Sequence, residues 1–224
     1  MAKISVNKLA ELLVSANPAR RRRILQDQKY PNAPIVARYR LAHDPINQFL
    51  TNGRNEAALQ TAIKKLRDDK SGTEWAIDDR WNTADALEKL LEMSDLLPSQ
   101  DGVEYQQGEQ NAAKLAIAGV DISIRPDFLL SYEKRGKKYT GALKFHFIKN
   151  PDSALTKSGS EYVSTLLRHW LEIHGPDGTE PSHAHCLCVD VFRNATVSAP
   201  KSTTKRMTEI TAACEEIAAR WPQL

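Results

Sequence analysis

The chain is poor in residues that cross-link or anchor a protein. Only three cysteines occur among 224 residues. Their number is odd and their spacing irregular, which argues against a disulfide-stapled scaffold and fits reduced thiols. No apolar run approaches the roughly 20 residues that a bilayer-spanning helix needs. Met1-Ala2-Lys3 leads straight into an amphipathic segment, without the apolar core of a signal peptide. The expectation is a soluble, cytoplasmic protein with no membrane partner. The sequence also lacks internal repeats and low-complexity tracts.

An excess of one charge is missing too, since the net charge is only +3. Its distribution says more. Residues 1–67 hold 13 Lys/Arg against 4 Asp/Glu, whereas residues 68–99 hold 3 against 9. A basic head followed by an acidic stretch reads as a nucleic-acid face beside a protein-contact face, or as unevenly charged solvated helices.

The periodicity of the first hundred residues is helical. Ser5 is a candidate N-cap for a helix over Val6–Ala16, with Leu9, Leu12, Leu13 and Ala16 on one face. Asn17-Pro18 ends it and opens the next, because proline suits the first helical turn. That helix carries Arg20, Arg21, Arg22 and Arg23. Four consecutive residues span more than one turn, so these arginines divide between phosphate contact and ion pairs within the protein. Pro31 and Pro34 mark a connector. Further helices are expected over Val36–His43, from Asp44-Pro45 to Leu50, over Glu56–Leu66, and within Trp75–Leu97. An all-helical N-terminal region over residues 1–98 follows, with a boundary at Pro98–Gly102 and a core over 103–224.

In that core the pattern predicts a helix over Gly108–Ala118 with Glu109 near its start. Two β-rich runs follow in Val120–Asn150, joined by the charged connector Glu133-Lys134-Arg135-Gly136-Lys137-Lys138. Next come a helix capped by Ser160, a strand over Ala184–Phe192 and a helix over Thr203–Arg220. The fold class is α/β or α+β, with a central mixed sheet flanked by helices.

Catalytic residue types cluster in the hairpin. Asp127 follows Pro126 at its first strand. Lys144 and His146 lie two apart on its second, hence on one face. A carboxylate can hold a hard cation such as Mg²⁺ or Mn²⁺, and a neighbouring lysine can position an attacking water over a phosphodiester. The plainer alternatives are a carboxylate paired with Arg125 or Lys144, and a packed or solvated histidine. Lys134, Arg135, Lys137 and Lys138 form a second basic cluster, either a phosphate-backbone contact or a solvated turn. His183, His185, Cys186 and Cys188 invite a zinc reading. A strand would send the histidines to one face and the cysteines to the other, so zinc is not expected.

Pro126-Asp127, followed by Ala142-Leu143-Lys144, resembles the motif of the PD-(D/E)XK phosphodiesterases, which have the restriction-endonuclease-like fold. The resemblance covers roughly residues 103–200. It implies a metal-dependent nuclease acting on DNA or RNA, with Asp127 as metal ligand, Lys144 positioning the nucleophilic water and a role in prokaryotic defence. The sequence departs from the pattern at Ala142, where the family has Asp or Glu. A methyl group ligates no metal. Either a carboxylate arrives from elsewhere, with Glu109, Glu161 and Asp190 as candidates, or the fold is kept for binding nucleic acid or for scaffolding a larger defence or repair complex. A protein partner or a homo-oligomer is compatible with both readings.

Overall fold

Ala2 and Ile4 point inward and Lys3 outward, the two-residue period of a strand, and Ala2–Ser5 forms β1. The computed structural model describes residues 1–31, 38–99 and 101–224. Ser5 stands at the N-cap of α1 (Val6–Val14), although its side chain makes no capping bond. Asn17 does cap α2 (Pro18–Lys29), accepting from the amides of Ala19 and Arg20. The expected helix over Val36–His43 lies partly outside the described residues. Its described part is a turn and a short 3₁₀ segment, Arg40–Ala42, leading into α3 (His43–Thr51). Asn55 and Thr73 cap α4 (Glu56–Asp68) and α5 (Glu74–Glu92). The head is thus not all-helical, because β1 precedes the first helix. The alternation in Ala2–Ser5 was too short to stand out against the helix that follows.

After residue 100 the largest correction concerns Gly108–Ala118, which is not a helix. Val103–Gln107 forms β2, an irregular segment follows, and Leu115–Ile117 forms β3. Gly108 lies so close to the chain at Pro126 that a Cβ would sit 1.9 Å from the Pro126 carbonyl oxygen. Its N–H donates to the Asp127 carbonyl at 2.9 Å. That close approach holds the chain extended where alanines favour helix. Ala118 and Gly119, both with positive φ, turn the chain into β4 (Val120–Ser123).

The first arm of the expected hairpin is therefore split. Its second half is β5 (Phe128–Lys134), which pairs antiparallel with β6 (Lys137–His146). Arg135 and Gly136, at φ 54° and 74°, form the two-residue loop between them. Positive φ at both positions matches a type I′ turn, whose twist suits the flanking strands. α6 (Lys157–His174) starts earlier than expected, with Thr156 as its cap and Ser160 buried inside it. α6 carries the chain across to β7 (Glu180–Asp190), parallel to β6. β8 (Ala195–Ser198), not foreseen, returns antiparallel, and α7 (Thr204–Arg220) closes the chain.

The strands form a five-stranded mixed sheet in the order β2-β5-β6-β7-β8 and a three-stranded sheet in the order β1-β4-β3. The large sheet is buried on both faces. On one, Ala142, Cys186 and Cys188 meet α1, α2, α6, α7 and the small sheet. On the other, Phe128, Leu130, Leu143, Phe145, Leu187 and Val189 meet α3, α4 and α5. The fold is α+β with a central sheet flanked by helices, as expected. Helices from before residue 98 share both cores with strands from after residue 103.

Burial pushes the Cys186 and Cys188 thiols up to about 12, and that of Cys214 up to about 11. A buried neutral thiol is a poor nucleophile. Iodoacetamide at pH 8 is expected to leave all three unlabelled in the native protein and to label all three in denaturant, as read by mass spectrometry. Rapid native labelling of Cys186 or Cys188 would contradict this packing.

Candidate active site

Asp127 sits in the short bridge between β4 and β5. Its N–H donates to the Leu143 carbonyl at 2.8 Å, which fastens this bridge to β6. Its carboxylate accepts from the Lys144 ammonium at 2.9 Å and from the Phe145 N–H at 2.7 Å. Lys144 donates in addition to the Arg125 carbonyl at 2.7 Å. The acid and the amine expected to meet across the hairpin therefore do meet. Their side chains are only 14% and 16% exposed, so water screens the pair weakly.

Asp127 and Lys144 line a cavity of about 1280 Å³ at the edge of the large sheet. Its far wall comes from the α3 and α4 region, with Arg40, His43 and Lys65. Arg125 and Glu109 line it as well, with several amides, among them Gln48, Asn52, Asn55 and Asn111. Arg40, His43, Lys65 and the amides were missed by sequence reasoning. They come from separate helices, and no local spacing links them to the hairpin.

Arg125 carries the strain of the site. It is exposed, its φ is 45°, and proline follows it. Left-handed backbone is costly for a residue with a Cβ, and proline disfavours the helical regions before it. This conformation aims the Arg125 carbonyl at Lys144. The adjacency of Arg125 to Pro126-Asp127 was the one sequence signal for it.

The other candidates scatter. Of the three acids expected as replacements for a ligand at position 142, only Glu109 lines the cavity, on the irregular segment after β2. Glu161 pairs with Arg206 of α7, and Asp190 with Arg193 at 3.2 Å. Ala142 itself is fully buried in the core facing α6. His146 does not line the cavity. It packs 6% exposed opposite Asp190, and its Nε2 has no hydrogen-bond partner among the described residues. Burial, with the nearby charges of Arg193 and Lys8, lowers its pKa to about 4, against a smaller opposing effect of Glu11.

Of the arginine run, Arg20 pairs with Glu11 and Arg21 with Glu216 at 2.6 Å, while Arg23 pairs with Asp27 at 3.0 Å. Arg22 is exposed and has no carboxylate partner among the described residues. Lys134, Arg135, Lys137 and Lys138 project at the hairpin tip, away from the cavity, where Lys137 meets Glu180 at 3.3 Å. Among the described residues five acids of the acidic stretch are ion-paired: Asp69 with Arg80, Asp78 with Arg38, Asp85 with Arg67 and Lys149, Glu88 with Arg67, and Glu92 with Lys89. In β7, Cys186 and Cys188 point into the core facing α6.

No protein-family model matches the chain, and no curated protein matches it. The chemistry of the site is therefore judged on its own donors. Among the described residues no group of three or more His, Cys, Asp or Glu converges as a metal cage. Magnesium needs less than that, since it keeps several waters and takes one or two carboxylates plus substrate phosphate oxygens. Each Asp127 oxygen accepts one hydrogen bond and retains a lone pair, and Glu109 lines the same cavity. The donor set fits a hydrated Mg²⁺ or Mn²⁺ and does not fit a dehydrated all-protein site.

Two measurements probe this geometry. Arg125→Gly is expected to be more stable than Arg125→Ala by about 1 kcal/mol in urea unfolding, because glycine accepts positive φ and alanine does not. Equal stability would contradict the strained backbone. For His146 the folded pKa lies below the usual imidazole value, so the unfolded chain binds the extra proton. Stability is then fully present above about pH 6.5 and falls as pH drops toward 4, by about 3 kcal/mol. Buried Asp190 has a raised pKa and works in the opposite direction. Comparison with His146→Leu isolates the histidine, and the variant is expected to lose less stability than the native chain between pH 6.5 and 4. An equal loss would contradict the buried neutral imidazole.

Proposed function

We propose that the protein is a metal-dependent phosphodiesterase that cuts nucleic acid in the cavity walled by Asp127, Lys144 and Glu109. The observation that carries this reading is the Asp127–Lys144 contact at 2.9 Å on the wall of a cavity that also holds Arg40, Lys65, Arg125 and Glu109. The path of the chain supports it: an antiparallel hairpin with the acid at its mouth and the amine on its second strand, then a helical crossover to a parallel strand. It is the arrangement that the resemblance to the PD-(D/E)XK phosphodiesterases implies, without the helix expected before the hairpin.

Asp127 and Glu109 would hold the cation, whose charge lowers the repulsion between nucleophile and phosphate. Lys144, fixed by Asp127 and the Arg125 carbonyl, is placed to orient an attacking water. The water oxygen bonds to phosphorus, the bond to the leaving oxygen breaks, and that oxygen takes up a proton. Arg40, Lys65 and Arg125 supply positive charge where the strand's phosphates would lie.

A second reading rests on one observation. Ala142, where the motif has an acid, is sealed in the core, so the site has one ligand fewer than the pattern. On that reading the fold binds nucleic acid or scaffolds a larger complex without cutting. Incubation with plasmid, single-stranded DNA and RNA, with Mg²⁺ or Mn²⁺ and with chelator, separates the two. The enzyme is expected to cut only with metal, and Asp127→Ala or Lys144→Ala to slow cutting by about 100-fold or more. Binding without cutting, unaffected by either substitution, would overturn the phosphodiesterase and support the scaffold.

A further inference from the structure

The hairpin carries a second feature at its far end. Tyr132 and Tyr139 face each other across β5 and β6, with rings stacked at 5.2 Å and 16° between planes. His185 of β7 leans on Tyr132, with ring centroids 4.6 Å apart. Gly141 permits this approach, since a Cβ there would lie 2.5 Å from the His185 carbonyl oxygen. All three rings are partly exposed, and none belongs to the buried clusters of the sheet. Tyr132 lies five positions along the chain from Asp127, about 17 Å at the rise of a strand.

The charges around the rings are arranged by face. Side chains two apart on a strand share a face, so Lys134 lies beside Tyr132 and Lys137 beside Tyr139. These two lysines are also directly opposite each other in the ladder. Like charges in that position repel and destabilise a hairpin. Glu180 relieves Lys137 in part, at 3.3 Å with both side chains over 60% exposed. On the opposite face Glu133 is matched with Lys138, a complementary pair. The face that bears the rings thus sets two lysines against one carboxylate, while the opposite face carries a matched pair. Lys134 and His183 also lower the pKa of His185, after burial.

We propose that Tyr132, Tyr139 and His185, with Lys134 and Lys137, form a stacking platform for single-stranded nucleic acid. Bases stack on aromatic side chains whatever their identity, and the adjacent lysines meet the phosphates. A duplex hides its base faces and leaves only the charge contact. Binding here does not depend on cleavage in the cavity and persists in chelator and in Asp127→Ala, so failure of either proposal is read separately.

The test is fluorescence anisotropy in chelator with a labelled oligo-dT of about 15 nucleotides and a duplex of the same length. The native protein is expected to prefer the single strand. Tyr132→Leu with Tyr139→Leu keeps apolar packing but removes both π faces. It is expected to weaken single-strand binding about tenfold or more and to leave duplex binding unchanged. Lys134→Ser with Lys137→Ser is expected to reduce the slope of log affinity against log salt by about 1 to 2. Should the tyrosine variant fail to fold, photo-crosslinking of the native protein to a 5-iodouracil strand decides the matter, with adducts expected on Tyr132 or Tyr139. Undiminished binding in a folded tyrosine variant, equal affinity for duplex, adducts confined to other sites, displacement by polyglutamate, or concentration-dependent self-association that buries the rings would each overturn the platform.

Discussion

One carboxylate ties the site together. Asp127 accepts from the ammonium of Lys144 and from the backbone N–H of Phe145, while its own N–H donates to Leu143. These bonds clamp the bridge between β4 and β5 onto the central strand β6. The clamp aligns the acid with the amine, and it also aims the strained Arg125 carbonyl at the same ammonium. A largely buried ion pair of this kind adds little net stability, because desolvation offsets most of its attraction. Its contribution is to geometry. It fixes two reactive groups at the wall of a cavity whose other wall comes from helices more than sixty residues earlier.

Those helices explain why a basic head is built into the fold. α3 and α4 cover one face of the large sheet and bring Arg40, His43 and Lys65 to the cavity. α1 and α2 lie on the opposite face, where Arg20, Arg21 and Arg23 are held by carboxylates of the same chain. The uneven charge of the sequence therefore resolves into internal pairing over much of the surface. Among the described residues, the cations without an ion-paired carboxylate include Arg40, Lys65 and Arg125 at the cavity, Lys134 and Lys138 at the hairpin tip, and Arg22 on α2.

How far the sequence could be read depended on whether the signal was local. The hairpin was legible, because alternating β-formers flank a connector whose Arg135-Gly136 can adopt the positive φ of a tight turn. From that hairpin, the period of two sufficed to bring Lys144 toward Asp127. The helix and the strand after it were legible from their own local periods, though not that the strand runs parallel to β6. Most of what failed had a non-local cause. Gly108–Ala118 has helical composition, but close packing of Gly108 on Pro126 holds the start of the segment out of a helix. β1 is four residues long and pairs with the distant β4, whereas β8, equally short, pairs with the β7 segment just before it and was missed for its brevity. His146 shares a face with Lys144 in the pattern, yet it ends beneath the charges of Arg193 and Lys8 rather than in the cavity.

The account stands on the coupling between Asp127 and Lys144. A double-mutant cycle in urea unfolding measures it directly, using Asp127→Asn, Lys144→Met and the two combined. Because the groups are in contact and poorly hydrated, the cycle is expected to return a coupling energy of about 1 kcal/mol or more. Strictly additive effects would mean that the two side chains do not meet in solution, and the cavity would lose the arrangement on which its chemistry is built.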